Sequence, residues 1–108
     1  MILIVGGLGA GKRAFAAQAF GFRPEEMSPD PESGCPVLFD VQNMDPLPAP
    51  EDLLQRRVVI CNEVGCGVVP VEPAQRARRE AVGRLCCHLA REAAAAYRVA
   101  CGLPLRLK

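Results

Sequence analysis

The chain has 108 residues, half of them apolar, with a net charge of +1 and no Trp. That length suits one domain, 1–108, whose Ala-, Val-, Leu- and Ile-based core requires neither metal nor disulfide. No apolar run approaches the ~20 residues of a membrane span, and the balanced charge points neither toward nor away from nucleic acid.

Residues 1–5, MILIV, are a continuous apolar run that ends in glycines. The pattern predicts a fully buried strand feeding a tight turn. Ala-rich helix formers follow over 12–20, and Gly21 suits a C-terminal cap. Seven of the ten prolines then fall between residues 24 and 50. Such a stretch holds no long helix or central strand, so 22–35 is predicted to be a Pro-rich loop. Within the Pro-rich region, PVLFDV at 36–41 predicts a short buried strand. A turn and a short helix come next, with Glu51 and Asp52 near the helix start and Arg56 and Arg57 near its end, an order that suits the helix dipole.

Residues 57–61 predict another buried strand, and 62–70 the loop that leaves it. Pro73 opens a long helix over 73–96, whose core face is Val82, Leu85, Leu89, Ala93 and Ala96. Residues 96–102 predict a last strand and 103–108 a short tail. Strand and helix alternate throughout, which implies an α/β fold with a parallel sheet and helices on its faces. Ligands of such folds sit beyond the C-terminal strand ends. Gly6–Arg13, Asp40–Asn43 and Asn62–Gly67 all fall there.

Gly6-Gly7-Leu8-Gly9-Ala10-Gly11-Lys12 has the spacing of a phosphate-binding loop, set between a predicted strand and a predicted helix. Its glycines let backbone N–H groups wrap a phosphate, and the helix N-terminus favours the negative charge. Lys12 would reach the terminal phosphates. Arg13 stands where a Ser or Thr hydroxyl would ligate Mg²⁺. Arginine has no acceptor atom. It either contacts a phosphate oxygen in place of metal charge or points into solvent. Asp40, after an apolar strand, suits a carboxylate that holds Mg²⁺ or its water, or is an ordinary strand-end acid. Glu63 is a general base, a metal contact, or a loop acid bonded to nearby backbone. Cys66 is read as a loop residue, and His88 with Arg84 and Arg91 as a solvated or subunit-facing stripe.

The six cysteines contain no C-x-x-C pair. Cys61 and Cys101 lie in apolar runs that suggest buried strands, and Cys86 and Cys87 point to different parts of a helix. Glycines and Lys12 interrupt the opening run too early for a secretory leader. Reduced thiols in a cytoplasmic protein are expected. Charge is uneven: residues 1–23 carry +3, residues 24–55 carry −8 and residues 56–108 carry +6. Either the acidic middle folds against the basic remainder, or the basic part faces a phosphorylated ligand.

NEVGCGVVP at 62–70, followed by Arg76, Arg79, Gly83 and Leu85 and by VACGLPLRLK at 99–108, closely resembles the C-terminal half of the adenosylcobinamide kinase/adenosylcobinamide-phosphate guanylyltransferase family. MILIVGGLGAGKRAFAAQ resembles that family's N-terminal phosphate loop, which usually reads Ser-Gly-Lys-Ser. VLFDVQN at 37–43 looks like its LLDCLTLWVTN region. The resemblance implies a P-loop NTPase-like three-layer α/β fold with a small, mainly parallel sheet. It implies ATP or GTP as nucleoside triphosphate and adenosylcobinamide as corrinoid partner, in an often trimeric homo-oligomer with no nucleic-acid or membrane partner. Members phosphorylate the cobinamide hydroxyl and then attach GMP through a guanylylated histidine. That histidine sits in an interval that here is only 22–35 and holds no His. Carried over by position, Gly6, Gly11 and Lys12 are phosphate contacts, with Gly7, Gly9, Ala10 and Arg13 in the same loop. Asp40 and Glu63 are metal or hydroxyl partners. The expectation is a compact kinase-type relative in cobalamin assembly without the guanylyl step. The alternative is a non-catalytic nucleotide- or corrinoid-binding accessory protein.

Overall fold

The computed structural model describes residues 1–63 and 71–108. Three apolar runs form the middle of one sheet. Strand β1 is Ile2–Gly6, β4 is Val58–Asn62 and β5 is Ala95–Ala100. β1 is central and pairs in parallel with β4 (Ile2 with Val58) and with β5 (Ile2 with Ala95). Its continuous apolar character follows, because both sheet faces are covered. The short strands β2 (Met27–Ser28) and β3 (Val37–Leu38) and the last strand β6 (Leu103–Arg106) complete the order β2-β3-β4-β1-β5-β6. Every pairing is parallel except that of β5 with β6.

Helix α1 (Lys12–Phe20) covers one face and closes at Gly21, which has the positive φ expected of a glycine cap. The core there is Ile4, Ala16, Val37, Val58, Ile60 and Val99. The other face carries α2 (Pro50–Leu53) and α3 (Pro73–Glu92), with Val82, Leu85 and Leu89 turned inward as their spacing predicts. The α/β expectation and the small, mainly parallel sheet between helical layers are therefore met.

Local features depart from the sequence reading. Segment 22–35 is not loop throughout. Met27 and Ser28 lie between prolines and keep their own N–H groups, so they pair with β3 and form the sheet edge. β3 is two residues long, because Asp40 turns the chain at φ 54. Helix α3 stops at Glu92, and Ala96 is buried in β5 instead: alanine fits either element, and pairing with β1 decides. Residues 103–106 form a strand, reached through a two-residue turn at Cys101 and Gly102, both with positive φ. That turn leaves Cys101 exposed, not buried in a strand. Pro104 is tolerated because β6 is an edge. Arg56 and Arg57 lie beyond the end of α2. Arg56 donates to the carbonyls of Cys35 (2.6 Å) and Pro31 (2.9 Å), tying the Pro-rich segment down.

Candidate phosphate-binding site

The loop between β1 and α1 begins where Gly6 ends the central strand. A Cβ on Gly6 would stand 2.5 Å from the Val99 carbonyl oxygen, so glycine is required by the approach of β5. Gly9 (φ 71) and Gly11 (φ 94) bend the loop into the left-handed region that glycine adopts at little cost. Gly7, Leu8 and Gly9 are exposed at its rim. Two contacts hold its base: Glu63 N–H donates to the Gly6 carbonyl at 2.8 Å, and Gly102 N–H to the Ala10 carbonyl at 2.9 Å. The second comes from the tip of the β5–β6 hairpin.

Lys12 opens α1 and is 8 % exposed, the one buried charged residue among those described. Its Nζ donates to the Gly7 carbonyl at 2.6 Å, so the ammonium lies across the loop it would serve. Burial pushes its pKa below the usual lysine value, opposed by the negative charge of Asp40 and, more weakly, Glu63. Arg13 also acts on it, as a like charge. The fold thus brings Lys12, Arg13, Asp40 and Glu63 into one field, as the convergence of strand ends predicts.

Arg13 does not simply point into solvent. Its guanidinium stacks 4.5 Å from the centroid of the Phe39 ring. Phe39 is the residue before Asp40, so the stack ties the start of α1 to the chain leaving β3. Arg13 has no lone pair to offer a cation. Among the described residues no three His, Cys, Asp or Glu side chains gather into a metal-binding group. The donor set at this loop therefore does not fit Mg²⁺, and Asp40 stands without the hydroxyl partner such a site uses.

Asp40 caps a single 3-10 turn, Val41–Asn43, and lines an open cleft of about 610 Å³ with Asn43, Met44 and Leu47. That turn is pinned twice. Gln42 Oε1 accepts the Asn62 N–H at 2.9 Å. Arg78, on α3, donates to the carbonyls of Gln42 (3.0 Å) and Met44.

Comparison with known families decides the lineage. The model of the family described as cobinamide kinase / cobinamide phosphate guanyltransferase matches residues 43–107. The chain belongs to that family. No individually curated protein matches it. The match places the chain in cobalamin assembly, among proteins that use a nucleoside triphosphate and a cobinamide. It begins after the phosphate loop and Asp40, and it takes in Glu63, Arg78 and Arg98.

Within the cobinamide kinase frame, Glu63 is already engaged. Arg98 on β5 grips it with two nitrogens, Nε to Oε1 at 2.8 Å and a terminal nitrogen to Oε2 at 3.0 Å. This bidentate pair spans the end of β1 and engages both carboxylate oxygens. Arg98, Arg78 and Phe39 were not legible as site residues. Only the register of β5 and the path of α3 bring them in. His88 is exposed on α3, whose end lies beside Met1, since Ala94 N–H donates to the Met1 carbonyl. It therefore sits toward the sheet end opposite the phosphate loop. Cys66, and the part of the 62–70 loop from 64 onward, lie outside the described residues.

Proposed function

We propose that the chain is a cytoplasmic, nucleoside-triphosphate-binding member of the family that acts at the kinase step of cobalamin assembly and lacks the guanylyl step. The observation that carries this reading is Lys12, buried across a glycine loop and facing Asp40. A triphosphate would lie on the loop N–H groups and the N-terminus of α1. Lys12 would trade its bond to Gly7 for the terminal phosphates. Arg13 would leave Phe39 for a γ-phosphate oxygen and supply charge stabilisation, which is most of what phosphoryl transfer demands. The acceptor is the cobinamide hydroxyl, offered from the cleft beside Asp40. Its oxygen bonds to the γ-phosphorus, the bond to the β-phosphate bridging oxygen breaks, and the diphosphate leaves. Asp40 takes the hydroxyl proton. Glu63 orients the loop through its N–H to Gly6 and is not the base. The guanylyl step has no nucleophile, because 22–35 contains no histidine and His88 faces away.

Arg13 on Phe39 and Arg98 on Glu63 favour a second reading, a non-catalytic nucleotide- or corrinoid-binding accessory protein. Exposed Leu103 and Leu105 on β6, with Leu107 just beyond it, support a homo-oligomer in either case. One experiment separates the readings. ATP and GTP are titrated with and without Mg²⁺, and labelled γ-phosphate is followed onto adenosylcobinamide. Transfer supports the kinase, binding without transfer supports the accessory protein, and absence of nucleotide binding overturns the nucleotide-dependent reading in both.

A further inference from the structure

Three strands end at one level beneath the phosphate loop. Gly6 of β1 pairs with Asn62 of β4 on one side and with Val99 of β5 on the other. β4 and β5 share no ladder, because β1 lies between them. The Glu63–Arg98 pair joins them across that gap. Glu63 is the first residue beyond β4, and Arg98 is the residue before Val99. The guanidinium meets both carboxylate oxygens, at 2.8 and 3.0 Å. A two-point fork of this kind fixes direction as well as distance, where a lysine supplies only a point charge. The same Glu63 gives its N–H to the Gly6 carbonyl at 2.8 Å, where the loop begins. Arg98 therefore holds, by its side chain, the residue that holds the loop by its backbone.

We propose that Arg98 is a positioning residue of the phosphate loop: its grip on Glu63 keeps the Glu63 amide under the Gly6 carbonyl and offsets the Glu63 charge beside an incoming triphosphate. This role rests on the nucleotide binding that both readings above share. Asp40 and Glu63 both send negative charge toward Lys12, and a triphosphate brings more to the same place. The donor set at the loop does not fit Mg²⁺, a cation that would take up part of that charge. A guanidinium stays protonated in proteins, so Arg98 opposes the Glu63 carboxylate at every working pH. The carboxylate is the more covered partner, 22 % exposed against 50 % for the arginine. Its charge is therefore less screened by water than that of a surface acid, and its counter-charge matters more. Arg98 acts through Glu63 and needs no contact of its own with the nucleotide.

The test is a double-variant cycle on the whole chain. Arg98→Met keeps an unbranched stem and removes the fork. In isothermal titration without Mg²⁺ it should weaken ATP binding about fivefold, the upper end of what a partly exposed ion pair carries. In a Glu63→Gln background the same change should alter affinity by less than about twofold, because no carboxylate charge is left to offset. Hydrogen exchange in the nucleotide-free chain gives a second readout. The Glu63 amide should exchange faster in Arg98→Met while the β1 amides stay protected. Arg98→Lys keeps the charge and loses the fork, and it serves where Arg98→Met does not fold. It should hold ATP affinity to within about twofold and still quicken the Glu63 amide. A fivefold loss that persists with Glu63→Gln overturns the proposal, since Arg98 then acts without Glu63. So does unchanged ATP affinity in Arg98→Met, or faster exchange spread across β1. If the natural chain binds no ATP, the nucleotide reading falls and the Glu63 amide alone decides: a faster rate supports the positioning role, and an unchanged rate overturns it.

Discussion

Replacing Lys12 by Met separates what the ammonium does for the fold from what it does for an anion. The unbranched stem and its burial are retained. What disappears is the bond to the Gly7 carbonyl at 2.6 Å, worth about 1.5–3 kcal/mol for a charged donor, and with it the cost of holding an ammonium away from water. These oppose each other, so the unliganded variant should match the natural chain to within about 1 kcal/mol, a shift of no more than about 4–8 °C for a domain of this size. The pH response gives an independent sign. The folded-state pKa of Lys12 lies below 10.5, so the unfolded chain binds that proton more tightly. The penalty is fully present at neutral pH and is relieved as pH rises through the lowered value toward 10.5. The natural chain should therefore gain stability relative to Lys12→Met across that window. Nucleotide at a hundredfold excess over Kd should add about 2.7 kcal/mol to the natural chain and little to the variant. Thermal melts with and without ATP, at neutral and alkaline pH, read all three quantities. A variant that melts more than about 10 °C lower without ligand would mark Lys12 as a structural residue. A variant that keeps the full ATP shift would refute its phosphate role.

Arg13→Ser should lose the Phe39 stack, about 0.5–1 kcal/mol in a melt, and gain a hydroxyl able to ligate Mg²⁺. Isothermal titration should show ATP affinity that rises about tenfold with Mg²⁺ in the variant, a difference of about 1.4 kcal/mol, and barely changes in the natural chain. Gly6→Ala drives a Cβ to 2.5 Å from the Val99 carbonyl. It should cost about 1–3 kcal/mol in denaturant unfolding and weaken ATP binding with it. Arg78→Met removes the bonds to the carbonyls of Gln42 and Met44. Hydrogen exchange should quicken at the Asn43 and Met44 amides, which close the turn beside Asp40, while the β1 amides stay protected.

The central strands and the phosphate loop are legible in the sequence because local chemistry specifies them. A buried β1 needs an unbroken apolar run, and a turn at positive φ needs Gly9 and Gly11. The short helix α1 is legible for the same reason, ending at Gly21. Elements whose conformation is decided by distant partners are not legible. Ala96 has no strong preference, and only β1 makes it strand. Met27 and Ser28 become strand because β3 lies beside them, amid prolines that argue for loop. The site follows the same division. Lys12, Asp40 and Glu63 announce themselves at strand ends. The residues that decide what those groups are free to do come from elsewhere. Arg98 grips Glu63 from β5, and Phe39 holds Arg13 by a ring contact that no spacing encodes.

The hydrogen bond from Gly102 to Ala10 has a consequence for synthesis. Residues 6–12 are synthesised well before the turn at 101–102 and before β5, whose Ala95 pairs with Ile2, so part of their support arrives late. A nascent chain therefore holds the glycine loop by the Glu63 contact alone, and lacks its second brace until almost the whole of this sequence has been made. Nucleotide is poorly suited to act as an early template for folding. Closing so long a loop makes formation of the cradle a late event, coincident with completion of the sheet.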